Sequence, residues 1–239
     1  MPISDLMKPL KRQTLSTDVY QQLKELLISG RMMPGEQLSL RSTAEALGVS
    51  VMPVREATQR LVAEQALEVG PSRAIRIPMM TISQFREITT IRINLEGLAT
   101  EHASKLLSDS GLRKLVKLND EFSREMALNH PDGARLISLN KELHFTIYKA
   151  SEMPMLLQLI EALWLRIGPI LNYDLRSGSS RIEKRAAVDH HSKLVEALQR
   201  GDGIKARNAL QGDIESAAEF IVSAGVLVTA DTTRRGKTP

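Results

Sequence analysis

The chain has 239 residues, with 32 Lys and Arg against 28 Asp and Glu, no cysteine, and only 4 Phe, 3 Tyr and 1 Trp. That length supports one or two domains with a real core, and the net charge of +4 is only a mild pointer to a polyanionic partner. The missing cysteines exclude disulfides, a thiol nucleophile and thiolate metal sites and suit a reducing cytoplasm, while so few aromatic residues argue against a base-stacking RNA platform.

Residues 1–14 read as a flexible arm; Asp5, Lys8, Lys11 and Arg12 interrupt any apolar run of the kind a signal peptide needs. Thr17 can cap a helix ending at Gly30, with Val19, Leu23, Leu26 and Leu27 on its apolar face. Ser42 can cap a short helix ending near Leu47. Gly48-Val49-Ser50 then makes a tight turn into a third helix, Met52 to Gln65, where Pro53 sits in the first turn at little cost. Ala66–Val69 and Ala74–Ile77, around Gly70-Pro71-Ser72-Arg73, read as a two-stranded ribbon.

Pro78 marks a change of texture. Past it the pattern is six amphipathic helices, near Ser83–Leu107, Leu112–Asn129, Asp132–Ala150, Pro154–Leu175, Ser180–Arg200 and Asp202–Ala224. Short connections make antiparallel neighbours, hence a bundle. Met155–Leu171 is the most apolar stretch, but Gln158, Glu161 and Arg166 make it too polar for an unpaired membrane span. The expected fold is mainly α: a winged helix-turn-helix over residues 1–78, an all-helical antiparallel bundle over 79–228 and a frayed tail over 229–239.

The helix-turn-helix has a physical signature. Ala44 is small enough for the two helices to approach, Gly48 suits the left-handed turn, and Val54 points back into the junction. Gly30-Arg31-Met32-Met33-Pro34-Gly35, Ala44-Glu45-Ala46-Leu47-Gly48-Val49-Ser50 and Pro53-Val54-Arg55-Glu56-Ala57 resemble the N-terminal domain of GntR-family transcription regulators. That resemblance implies DNA contacts from Arg41, Ser50, Val51, Met52 and Arg55, and from Ser72 and Arg73 at the wing. The family pattern has Arg and Thr where this chain has Val51 and Met52, which implies either a changed operator read through thymine methyl groups or weaker DNA binding. It also has a wing glycine near the place of Ala74.

The second part resembles the all-helical FCD effector domain of the FadR subfamily, in the six-helix VanR-like group. Arg92-Ile93-Asn94-Leu95-Glu96, Asn140-Lys141-Glu142-Leu143-His144, and His191 followed by Gly201-Asp202 carry the match. In many such domains an aspartate and three histidines hold a divalent metal, and a carboxylate effector completes its shell. Here the matching positions are Asn140, His144, His191 and Asp213, a nitrogen and oxygen donor set suited to Zn, Ni or Mn-like ions. Asn140 and His144 share one helix face, and on an antiparallel pair His191 and Asp213, ten residues before and twelve after Gly201, both lie roughly 15–18 Å from the turn. The same four residues read alternatively as a buried hydrogen-bond cluster without metal. Arg92 has two readings, an effector carboxylate contact or a structural pair with a helix carboxylate. His190, adjacent to His191, must point elsewhere, and His102 reads as a packing histidine on the stripe of Leu95 and Leu98.

These readings imply a cytoplasmic, ligand-responsive transcription regulator that acts as a repressor. It would be a homodimer on a pseudo-palindromic operator of double-stranded DNA, sensing a small organic or sugar acid, with no membrane partner. A helical metal-dependent hydrolase, and a DNA-binding protein with a non-functional effector pocket, are the alternatives. Against the hydrolase stand the lack of a nucleophile motif and of a Gly-rich phosphate loop.

Overall fold

Two short helices meet where the small side chain of Ala44 and the left-handed Gly48 (φ 64°) allow them to, with Val54 fully buried at the junction. A computed structural model describes residues 15–70, 72–171, 173 and 186–229. In it α1 (Leu15–Ile28) precedes this pair, α2 (Leu40–Leu47) and α3 (Val51–Ala63). β1 (Gln37–Leu38), β2 (Glu68–Val69) and β3 (Ile75–Arg76) form a small antiparallel sheet in the order β1-β3-β2. The expected ribbon therefore gains a third strand, which follows the Gly35 turn (φ 81°) and is too short to show periodicity.

The bundle contributes α4 (Ile82–Leu106), α5 (Asp109–Met126), α6 (Gly133–Ala150), α7 (Pro154–Leu171), α8 (Ala186–Gln199) and α9 (Gly203–Ser223). These are six helices among the described residues. Side-chain caps set their starts. Thr81 and Gln84 form a reciprocal capping box at α4, Ser108 accepts from the Gly111 N–H at α5, and Asp132 and Asp202 cap α6 and α9. α5 thus begins three residues before the expected Leu112. The cap of α2 is likewise Ser39, accepting from the Ser42 N–H at 3.2 Å, rather than Ser42 itself. α1 already runs at Leu15, so Thr17 is inside it. The expected arm, Pro71, the helix limits at Leu175 and Ser180, and the tail from 230 onward fall outside the described residues.

α4 packs along α9 and against α6 and α7, while α8 lies between α9 and α5. Phe85, Phe122, Leu143, Tyr148, Ile160 and Trp164 fill the space between them. The winged helix meets the bundle through α1, which packs on α3 on one side and on α7 on the other. There Gly168 of α7 lies so close to α1 that an added Cβ would sit 2.3 Å from the Leu27 carbonyl oxygen and 2.9 Å from the Ile28 Cα. Lys24 of α1 pairs with Glu161 of α7 at 2.7 Å, and Lys141 of α6 pairs with Glu25 of α1. After α9 the chain returns to the start of the bundle, where the Val228 N–H donates to the Met80 carbonyl at 3.0 Å.

Candidate functional site

The N-terminal end of α3 is an exposed face of mixed chemistry. Ser50 is its N-cap by backbone geometry (ψ 165°), yet the hydroxyl makes no capping bond. Val51 is half-buried, while Met52 is 59% exposed, a large apolar side chain in solvent at the helix start. Arg55 is exposed one turn on, as is Arg41 in α2. Two other arginines of this part are committed: Arg60 lies 3.8 Å over the Tyr20 ring, and Arg76 pairs across the sheet with Glu68 at 2.6 Å.

At the wing tip Ser72 and Arg73 are exposed, and the Arg73 N–H donates to the Gly70 carbonyl. The left-handed residue there is Arg73 itself (φ 60°), not a glycine near position 74. That conformation costs a non-glycine residue roughly 1–2 kcal/mol, so a cation is held at the tip against the local backbone preference.

Inside the bundle, side chains from three helices converge. His144 of α6, His191 of α8 and Asp213 of α9 are all buried, with one donor atom of each within 4.8 Å of the others. His144 Nε2 lies 3.4 Å and His191 Nε2 3.6 Å from Asp213 Oδ2. Asn140 stands half-buried one turn before His144. His190 is half-buried against Gly212 rather than in the cluster. His102 is exposed, which corrects the expectation of a packing histidine: at that height of α4 the buried face runs through Ala99, Thr100 and Ala103 instead.

Behind the histidines is a second polar layer, of which sequence reasoning singled out only Arg92. Glu96, with 0% exposure, accepts from Arg92 Nε at 2.6 Å, Arg92 Nη2 at 3.2 Å, the Tyr148 hydroxyl at 2.5 Å and Trp164 Nε1 at 3.0 Å. Arg92, 3% exposed, spends its Nε and one Nη nitrogen on that pair. The signal for Glu96 and Tyr148 is their spacing, i+4 from Arg92 and from His144.

This layer fixes the imidazole of His144. The Tyr148 hydroxyl gives its proton to Glu96, so its oxygen accepts from His144 Nδ1 at 3.0 Å. With the proton on Nδ1, the neutral ring turns an Nε2 lone pair toward the Asp213 carboxylate, whereas the doubly protonated ring would pair with it as a salt bridge. In the neutral form two electron-rich atoms face each other 3.4 Å apart, an arrangement that a cation between them stabilises. Donor separations of about 3.4 Å are those of a tetrahedral ion with ligands near 2.0–2.2 Å. The residues fit a metal in donor chemistry, and the two separations from Asp213, 3.4 and 3.6 Å, fit one in spacing; the three donor atoms as a set lie within 4.8 Å of one another.

Burial, then the Glu96 charge, pushes the Tyr148 hydroxyl well above its ordinary value of 10; burial and the bond to Glu64 push Tyr20 up to about 12. Both raised values favour the neutral phenols of the folded chain. Their contribution to stability is complete below pH 10 and is lost as the pH rises through the folded values. An absorbance titration of tyrosinate should therefore find Tyr20 ionising near pH 12 and Tyr148 only as the fold opens. Ionisation of both near pH 10 in the folded protein would contradict the buried network.

Residues 15–77 match the gntR family of bacterial regulatory proteins, and residues 87–216 match the FCD domain. The chain is 35% identical over 201 residues to the HTH-type transcriptional regulator McbR of Escherichia coli (strain K12), covering 84% of this chain and 90% of that one. It is 26% identical over 204 residues to the probable D-xylose utilization operon transcriptional repressor of Paenarthrobacter nicotinovorans, covering 85% of this chain and 87% of that one. Among solved structures, E. coli McbR/YncC superposes with a TM-score of 0.81 at 31% identity, over 89% of this chain and 99% of that one. The chain belongs to the gntR family of bacterial regulatory proteins, a non-enzymatic DNA-binding transcription regulator with a winged helix-turn-helix ahead of an FCD domain.

Proposed function

We propose that this regulator is a ligand-responsive repressor that binds a pseudo-palindromic operator as a homodimer in the cytoplasm. It divides near Pro78 into a DNA-reading part and a sensing part. The observation that carries the DNA reading is the exposed start of α3. Met52 and Arg55 stand free of the core there, where the second helix of a helix-turn-helix meets base edges. Arg41, Ser50 and the wing residues Ser72 and Arg73 would meet phosphates, Val51 and Met52 thymine methyl groups. The exposed apolar pair Met155 (80%) and Leu159, one turn apart on α7, supports burial against a second copy.

In the sensing part, His144, His191 and Asp213, with Asn140 as a further oxygen donor, would hold a divalent Zn, Ni or Mn-like ion. When bound, such an ion supplies a positive Lewis-acidic centre that attracts a carboxylate effector. The chain's own residues do the positioning: Tyr148 sets the His144 tautomer, Glu96 sets Tyr148, and Arg92 neutralises Glu96. Arg92 would then act on the effector carboxylate through the nitrogen not spent on Glu96, or only through Glu96. An effector shifts operator affinity to the extent that it binds the two domain arrangements unequally.

The test is selection of operators from random duplex DNA, followed by titration at fixed salt. Arg55→Ala should lose about 1–3 kcal/mol of operator binding with the fold intact. Replacing thymine by deoxyuridine in the selected half-site should weaken the wild type, and weaken Met52→Ala less because only Val51 still reads the methyl group. Unchanged affinity in Arg55→Ala, or no uracil effect in the wild type, contradicts these assignments.

A further inference from the structure

A described cleft lies away from the histidine cluster. It is a cavity of about 600 Å³ between α1 of the winged helix and α5, α6 and α7 of the bundle. Its volume falls within the range of small-molecule sites, about 300–1,000 Å³, and domain junctions are where such sites concentrate.

The chemistry of its walls is specific. Ile28, Ile137 and Phe145, all buried, form an apolar floor. Five cations, Lys24, Arg31, Lys114, Lys141 and Lys149, face three carboxylates, an excess of two positive charges. Each carboxylate is met by one lysine: Glu161 by Lys24 at 2.7 Å, Glu142 by Lys114 at 2.9 Å, and Glu25 by Lys141. The excess therefore resides on Arg31 and Lys149, one from each side of the domain junction.

Phe145 joins this cleft to the sensing cluster. Its ring meets Trp164 at 5.1 Å and Tyr148 at 5.7 Å between centroids, and both of those rings also lie against His144. Any group packed on the floor of the cleft touches the outer wall of the histidine site.

We propose that the interdomain cleft is a second ligand site, for a small organic dianion (a dicarboxylate or a phosphate monoester) with an apolar body. The anionic groups meet Arg31 and Lys149, and the body lies on Ile28, Ile137 and Phe145. Because the walls belong to both domains, the ligand fixes the placement of α1 on the bundle. The site itself stands independently of DNA binding; only its effect on operator affinity rests on the proposed function.

Calorimetric titration of the full chain, freed of metal with EDTA, tests this with succinate, phthalate and phenyl phosphate at constant ionic strength. At least one should bind saturably, one per chain. The double variant Arg31→Ala/Lys149→Ala, altered only at exposed side chains, should bind at least about tenfold more weakly, as loss of charge-assisted bonds requires. His191→Ala should bind like the wild type. Absence of saturable binding by all three probes overturns the proposal. So does wild-type affinity in the double variant, or loss of binding in His191→Ala, which would place the ligand at the histidine cluster.

Discussion

Glu96→Ala is expected to be the most damaging single change in the FCD domain, lowering stability by about 3–5 kcal/mol. The cause is less the lost contact than what remains: Arg92 would stay buried with its charge uncompensated, and the Tyr148 hydroxyl and Trp164 indole N–H would lose their acceptor. At about 2–4 °C per kcal/mol for a chain of this size, thermal unfolding should resolve the change easily. Arg92→Met should be comparably destabilising, because it leaves the carboxylate unpaired. The double variant should cost clearly less than the two singles together, a coupling of roughly 0.5–3 kcal/mol. Additive effects would mean that the buried pair is not a unit, and the positioning of His144 through Tyr148 would lose its basis.

Gly168→Ala is the second large effect, and its sign is set by two opposed terms. Alanine in a helix interior is favoured over glycine by about 1 kcal/mol. Against this, the new methyl would lie 2.3 Å from the Leu27 carbonyl oxygen and 3.0 Å from that of Ile28. Both are backbone atoms, which cannot rotate aside. Overpacking of this kind costs about 1–3 kcal/mol and here can be relieved only by lifting α1 away from α7. That movement stretches the Lys24–Glu161 pair and opens the cleft beside it. The variant should therefore be less stable than the wild type in denaturant, and the winged helix should lose protection in hydrogen exchange before the bundle does. A stabilised Gly168→Ala protein with unchanged exchange would show that the two parts are not held by this contact.

Which features could be read from the sequence follows from how local their causes are. The α2–α3 junction was legible because Ala44, Gly48 and Val54 encode it within eleven residues. The meeting of His191 with Asp213 was legible because two antiparallel helices around one turn carry a countable register. His144 needed the family resemblance, since no local spacing relates α6 to α8. The third strand, two residues long, and the Ser39 cap lie below what periodicity resolves. Glu96 was visible as an i+4 partner of Arg92, but not as the acceptor for Tyr148 and Trp164, which arrive from 52 and 68 residues away. His102 was misassigned because a stripe drawn through Leu95 and Leu98 is rotated from the true buried face. The Gly168 contact had no signal: a helical glycine gives no indication of which backbone lies against it.

His144, His191 and Asp213 are proposed to make a cation site at the heart of the FCD domain. It is tested most directly by the melting temperature of EDTA-stripped protein on adding Zn²⁺ or Ni²⁺, with Asp213→Asn, nearly isosteric, measured alongside. An ion at one hundred times its dissociation constant stabilises by about 2.7 kcal/mol, and at about 2–4 °C per kcal/mol the wild type should rise by several degrees. The variant should not move. No rise in the wild type, or an equal rise in Asp213→Asn, would contradict the site.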